Sequence, residues 1–236
     1  MQNRFIYNND VNMTFRSYIS KVFLFVAAGL LVSTLFALLV GRYFLVLIYA
    51  LGSFGTLGLF LPIILELVVA IYFSRRLLTM KKTTAYICYF LYSALTGLSL
   101  SFILMLYDIQ SIGFAFASTT LLFVCMSIIG HTTKIDLSRF TNYLFFGLLG
   151  IIIVTLLNSF IFKSAGLDLF VSYIAVIIFL VLIAFDMQRL RYLYNEGLAD
   201  GELYEKLLIY GSFQLYLDFI NLFLRLLDIF SRRRKN

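Results

Sequence analysis

The sequence predicts an all-α integral membrane protein, a bundle of seven transmembrane helices. Three observations predict it. Hydrophobic residues make up 62% of the 236 residues and charged residues only 13%, with a mean hydropathy of +0.96. Soluble domains carry roughly 25% charged residues, and a globule of this size has too little interior to hide so much apolar surface. The apolar residues fall in long runs, and about 20 such residues cross a hydrocarbon core of roughly 30 Å. The connections between the runs are short, so residues 1–236 read as a single transmembrane domain. A soluble enzyme, a nucleic-acid binder and a disordered chain are excluded on the same grounds.

The elements follow in order. The first span covers 22–40. The apolar region 45–73 is long for one crossing and contains Gly52, Gly55, Gly58 and Pro62. The span itself is therefore placed at 57–73, after a bent or interfacial lead-in over 45–56. Further spans cover 84–106, 112–130, 140–162, 169–188 and 207–230. Residues 1–20 contain Arg4, Asp10 and Arg16 and lack the apolar centre of a signal peptide. Small residues four apart mark the first span (Gly29, Ser33, Ala37) and the third (Ser93, Gly97, Ser101). That pattern predicts close helix packing.

The formal net charge of +7 fits the excess of basic residues in cytoplasmic loops. With seven spans, one side holds Arg4, Arg16, Lys21, Arg75, Arg76, Lys81, Lys82, Lys134, Arg139, Arg189, Arg191 and Lys206. The other holds Arg42, Lys163 and the basic tail Arg232, Arg233, Arg234 and Lys235 within 231–236. The N-terminal segment 1–20 is thus expected in the cytoplasm. The tail pulls the other way, and a re-entrant last helix with six full spans is the alternative. Cys88 and Cys125 lie in apolar runs and form no metal motif, so both are expected to pack. Asp108, Asp136 and Asp168 read as solvated loop charges, and His131 as a loop residue.

Ionisable groups in lipid cost at least about 2.5–3.5 kcal/mol each and need a reason. Glu66 sits in the second span, Asp186 in the sixth and Asp218 in the seventh. The connection between the last two spans centres near Gly201; Asp186 lies 15 residues before it and Asp218 17 after. In an antiparallel hairpin, near-equal distance from the turn means near-equal depth, so the two carboxylates can meet. In the last span Gln214, Asp218, Asn221, Arg225 and Asp228 are spaced 4, 3, 4 and 3 apart, on one helical stripe. A helix with one polar stripe belongs at the bundle centre, with the stripe lining a cavity or water path. An amphipathic helix lying in the interface is the competing reading.

Two carboxylates in contact titrate as a unit. Deprotonated, the Asp186–Asp218 pair offers oxygen ligands to a hard cation such as Ca²⁺. Two carboxylates suit weak calcium binding or passage, with no tightly bound cofactor. Glu66, Asn221 and Gln214 are candidates for the ion path or gate. Arg75, Arg76 and Arg225 are candidates to compete with the cation and lock the pair.

These residues resemble the Bax inhibitor-1 family of membrane proteins, its bacterial branch especially. The resemblance rests on Leu65-Glu66 followed by Arg75-Arg76, and on Thr96-Gly97-Leu98-Ser99-Leu100. It rests further on Phe185-Asp186-Met187-Gln188 and, most specifically, on Leu215-Tyr216-Leu217-Asp218-Phe219-Ile220-Asn221-Leu222-Phe223. It covers about the whole chain after residue 20. The resemblance implies seven helices with the last one central, and a pH-sensitive Ca²⁺ leak across a bacterial cell membrane. It assigns the acidic pair to Asp186 and Asp218, the second-span glutamate to Glu66, and the locking cation to Arg75 or Arg76. The connection between the aspartates is longer than the family's, and 41–56 reads as an insertion.

Two other functions stand beside the channel. The family resemblance also implies a regulator that binds a membrane-anchored ATP-dependent protease and conducts nothing. An intramembrane aspartyl protease would use two aspartates on adjacent helices. Such enzymes carry Gly-x-Gly-Asp, whereas here Asp218 follows Leu215-Tyr216-Leu217, so no enzymatic activity is expected.

Overall fold

The computed structural model describes residues 14–43, 49, 56–198 and 200–235. Among these there is no strand. Seven α-helices follow in order: α1 (Phe15–Arg42), α2 (Thr56–Arg76), α3 (Lys82–Leu106), α4 (Ile109–Thr132), α5 (Thr141–Leu157), α6 (Ala165–Gly197) and α7 (Gly201–Lys235). A 3₁₀ turn, Leu137–Phe140, precedes α5 and a π turn, Asn158–Phe162, follows it. Six helical segments among the described residues are long and apolar enough to cross a membrane; they fall on α1 and α3 to α7. The expected lead-in over 45–56 lies, apart from Tyr49 and Thr56, outside the described residues.

Most helices outrun the apolar spans because polar caps set their ends. The Thr14 hydroxyl accepts from the Ser17 amide, the Asp108 carboxylate from the Ser111 amide at 2.8 Å, and the Ser164 hydroxyl from the Leu167 amide. Each cap satisfies a backbone donor that the first turn leaves open. Asp108 is thus a cap. Asp136 caps the 3₁₀ turn by accepting from the Ser138 amide at 3.0 Å. Asp168 is ion-paired in the first turn of α6. Asp108 and Asp136 are exposed in connections, as expected, and act as caps; Asp168, within α6 and ion-paired, differs from the expectation of a solvated loop charge. His131 is also no loop residue: it belongs to the last turn of α4 and stacks on Phe15.

The small-residue stripes of α1 and α3 face each other. A Cβ on Gly97 would lie 2.4 Å from the Ser33 carbonyl oxygen, and one on Gly29 would strike the Tyr89 hydroxyl. Ser33 donates toward the Ser93 carbonyl at 2.7 Å, and its oxygen lies 2.7 Å from the Tyr216 hydroxyl. One serine thereby joins α1, α3 and α7. Cys88 is buried as expected, but Cys125 faces outward from α4.

α7 is the enclosed element. In its most apolar stretch 72% of residues are buried, against at most 33% in the other five segments. It runs unbroken for 35 residues, about 52 Å at 1.5 Å per residue. Its residues pack against α1, α3, α4 and α6. The central position fits the polar stripe, and nothing in this continuous helix is re-entrant.

The bundle has a cation-rich end. There the start of α1 meets the end of α4 through Phe15 and His131, and the α6–α7 connection through Tyr18 and Tyr204 at 5.4 Å. Lys82 at the start of α3 pairs with Glu205 at 3.2 Å, which brings the α2–α3 connection to the same end. Of the twelve basic residues grouped by the sequence, all except Arg4 are described, and all of those belong to segments at this end.

Candidate functional site: a carboxyl pair between the last two helices

α6 and α7 form an antiparallel hairpin whose polar contacts are rungs on a ladder. From the connection outward they are Arg189 with Gln214, Asp186 with Asp218, Ser172 with Asp228, and Asp168 with Arg232. The partners of each rung lie nearly equidistant from the connection, as antiparallel geometry requires. The stripe on α7 therefore faces α6 at Gln214, Asp218 and Asp228.

Asp186 and Asp218 are buried, 8% and 6% exposed, with their side chains close enough to interact across the α6–α7 contact. Carboxylates carry no donor, so a hydrogen bond between the two groups forms only when one of them holds a proton. Asp218 Oδ2 has no hydrogen-bond partner among the described residues. Among the described residues no third His, Cys, Asp or Glu joins them into a metal cluster. The pair alone supplies too few ligands for a tight Ca²⁺ site.

A cation near Asp186 is Arg189, one turn further along α6. The sequence reading did not include it. Its Nη1 reaches Gln214 Oε1 at 3.5 Å and its guanidinium lies over the Tyr210 ring, 5.7 Å from the centroid. Gln214 thus belongs with Arg189. Arg75 and Arg76 are exposed at the end of α2, and Arg225 is half-buried on α7. Among the described residues no ion pair or hydrogen bond joins any of the three to either aspartate.

Glu66 and Asn221 come together elsewhere. Both line a cavity of about 980 Å³ between α2, α3 and α7, with Tyr92, Thr96 and Ser99 in its wall. The Ser99 hydroxyl donates to Glu66 Oε1. The Asn221 amide donates back to the Leu217 carbonyl at 2.8 Å, which leaves its carboxamide oxygen free for the cavity. The three hydroxyls were not among the sequence candidates; their signal was the run Tyr92 to Ser99, which looks the same as a packing stripe. Along α7 the order from the cation-rich end is Gln214, Asp218, Asn221. The Asp186–Asp218 pair stands between the Arg189–Gln214 contact and this cavity.

Residues 15–235 match the family described as Inhibitor of apoptosis-promoting Bax1. A protein of Borreliella burgdorferi is 37% identical over 219 residues, 93% of each chain. The inner membrane protein YbhL of Escherichia coli K12 is 43% identical over 173 residues, 73% of this chain and 74% of its own. The protein RP147 of Rickettsia prowazekii is 36% identical over 230 residues, 96% of this chain and 94% of its own. With the match running from α1 to the end of α7, the chain belongs to the Bax inhibitor-1 family.

Proposed function

We propose that the protein is a calcium leak channel whose pH-sensitive gate is the Asp186–Asp218 pair. The observation that carries this reading is two buried carboxyl groups set beside each other between adjacent helices. With a proton shared by the pair, α6 and α7 are tied together. Without it, two like charges face each other; at about 4 Å and an effective dielectric near 20 their repulsion is about 4 kcal/mol. Such a change is large enough to move a two-state helix pair. The freed oxygens would then be ligands for passing Ca²⁺, with Glu66 and Asn221 offering further oxygens in the cavity beyond.

In this reading Arg189 competes with the cation for the pair, and the Arg189–Gln214 contact closes the route toward the cation-rich end. That end faces the cytoplasm by its basic residues. The protein resides in a bacterial cell membrane, in keeping with the inner-membrane designation of YbhL. It acts as a conductor rather than an enzyme, since Asp218 lacks the glycine-rich setting of an aspartyl protease.

The test is Ca²⁺ flux into liposomes holding the pure protein, across about pH 5 to 8, beside Asp186→Asn and Asp218→Asn. The expected result is a pH-dependent flux whose pH response is lost in both variants. An unchanged profile in both removes the pair as gate. No flux at any pH favours a non-conducting regulator, and a membrane-anchored protease would then be sought by co-purification.

A further inference from the structure

At the cation-rich end, between α1, α4 and α6, lie two adjoining clefts of about 610 and 330 Å³. They share Phe15, His131, Met187 and Arg191 in their walls. The mouth is basic: Arg16 and Arg191 on the larger cleft, Lys134 and Arg191 on the smaller. No acidic residue lines either. The inner wall is apolar, with Phe23, Val124 and Ile128. Arg191 is held in place by the Phe15 ring, 5.2 Å from its guanidinium carbon, and His131 stacks on the same ring at 5.7 Å.

Two observations say that this cleft lacks a partner. The carboxylates near this end are already engaged: Glu205 with Lys82, Glu202 with Lys206, Asp136 with Arg139, and Glu196 with the Tyr192 hydroxyl. Among the described residues Arg16, Arg191 and Lys134 form no ion pair. Deeper in the larger cleft, Ser127 is 3% exposed and its hydroxyl has no hydrogen-bond partner. A buried hydroxyl without a partner costs about 1–3 kcal/mol.

We propose that this cleft binds an anionic phospholipid, its phosphodiester between Arg16 and Arg191 and its glycerol oxygens within reach of Ser127. The complementarity is twofold. The basic mouth matches the phosphate, and the apolar wall below matches the start of an acyl chain. A free phosphate would use only the mouth and leave the wall and Ser127 unserved. The site is separate from the carboxyl pair and does not depend on ion conduction.

The experiment is native mass spectrometry of the full chain in a neutral detergent, titrated with phosphatidylglycerol, with phosphatidylcholine, and with glycerol 3-phosphate. Wild-type protein is expected to retain phosphatidylglycerol at least about fivefold over phosphatidylcholine. Arg16→Ala with Arg191→Ala brings the two lipids level, and so does Arg191→Glu. Arg42→Ala, at the opposite end of α1, leaves the preference intact. Both arginines of the site are exposed, so these variants keep the fold, which size-exclusion chromatography checks. Equal retention of the two lipids by wild type overturns the proposal, as does an undiminished preference in the double variant. Displacement of the lipid by glycerol 3-phosphate at equal concentration overturns the lipid assignment, because the wall would then contribute nothing.

Discussion

Gly130 of α4 lies against the backbone of Ala184 of α6, where a Cβ on the glycine would sit 2.2 Å from the alanine carbonyl oxygen. The obstacle is backbone, so it cannot rotate away as a side chain would. Ala184 is two residues from Asp186, and Gly130 therefore sets how closely α4 supports the helix that carries the carboxyl. Gly130→Ala is expected to destabilise by about 1–3 kcal/mol, the usual cost of an added methyl in a tight contact. Thermal unfolding in detergent should show a Tm lower by several degrees. An unchanged Tm would mean that α4 and α6 can part at no cost.

Arg189 stands three residues after Asp186, one turn further along α6. Under the proposed function, Arg189→Ala should move the pH midpoint of Ca²⁺ flux by about half a unit or more, the scale of a neighbouring charge lost from a buried carboxyl. Arg75→Ala and Arg76→Ala should leave the midpoint in place. In an Asp186→Asn background, Arg189→Ala should add no further shift, because the two act on one charge. A midpoint that follows Arg75 or Arg76 instead would return the lock to the end of α2.

How much of this was legible in the sequence depends on what each signal measures. The depth match of Asp186 and Asp218 was readable because residue counting from a turn measures depth along a helix. The stripe on α7 was readable from its period but its facing was not: Gln214, Asp218 and Asp228 meet α6, whereas Asn221 turns to the cavity beside Glu66. Arg189 stands three residues after Asp186, one turn along the same face, but directly after the apolar stretch 169–188, where in sequence it looks like any other basic residue flanking a span. Hydropathy sees the lipid-facing middle of a helix and is blind to its caps, so Thr14, Asp108 and Ser164 extended the helices past the expected spans. The hydroxyls around Glu66 were hidden for another reason. Ser and Thr serve helix packing and cavity lining alike, and only the arrangement of α2, α3 and α7 tells which.

Gln188 ties α6 to the α4–α5 connection: its amide donates to the Ile135 carbonyl at 2.8 Å and its oxygen accepts from the Leu137 amide at 2.9 Å. Beside it, Asp136 is held below the usual carboxylate range, first by its hydrogen bonds from Ser138 and then by Arg139. A depressed carboxyl stabilises the fold above its unfolded pKa, and this is lost as pH falls through the folded value. The connection should therefore hold at neutral pH and loosen only below about pH 4. Hydrogen exchange over 137–140, corrected for intrinsic rates, should speed up at that low pH, and at pH 7 in Asp136→Asn or Gln188→Ala. Equal protection in all three would show that the 3₁₀ turn stands without these side chains.

The far end of the hairpin is clasped by Arg232. Its Nε donates to Asp228 Oδ1 at 2.9 Å, Nη1 to the Ala165 carbonyl at 3.1 Å, and Nη2 to Asp168. Ser172 donates to the remaining Asp228 oxygen at 2.8 Å. One guanidinium thus closes α6 onto α7 at the opposite end from their connection, and Arg232 is no free tail residue. Arg232→Ala would leave two carboxylates side by side without their cation. The groups are partly open, 30% for Arg232 and Asp168 and 21% for Asp228, so solvent screens the loss to about 1–2 kcal/mol. Arg225→Ala, which removes a cation without an ion pair among the described residues, should cost less. If the two variants unfold at the same temperature in detergent, the clasp contributes nothing and the hairpin is held by its apolar packing and the Asp186–Asp218 contact. If Arg232→Ala with Asp168→Asn and Asp228→Asn recovers most of the loss, the harm lay in the stranded carboxylates rather than in the missing contact.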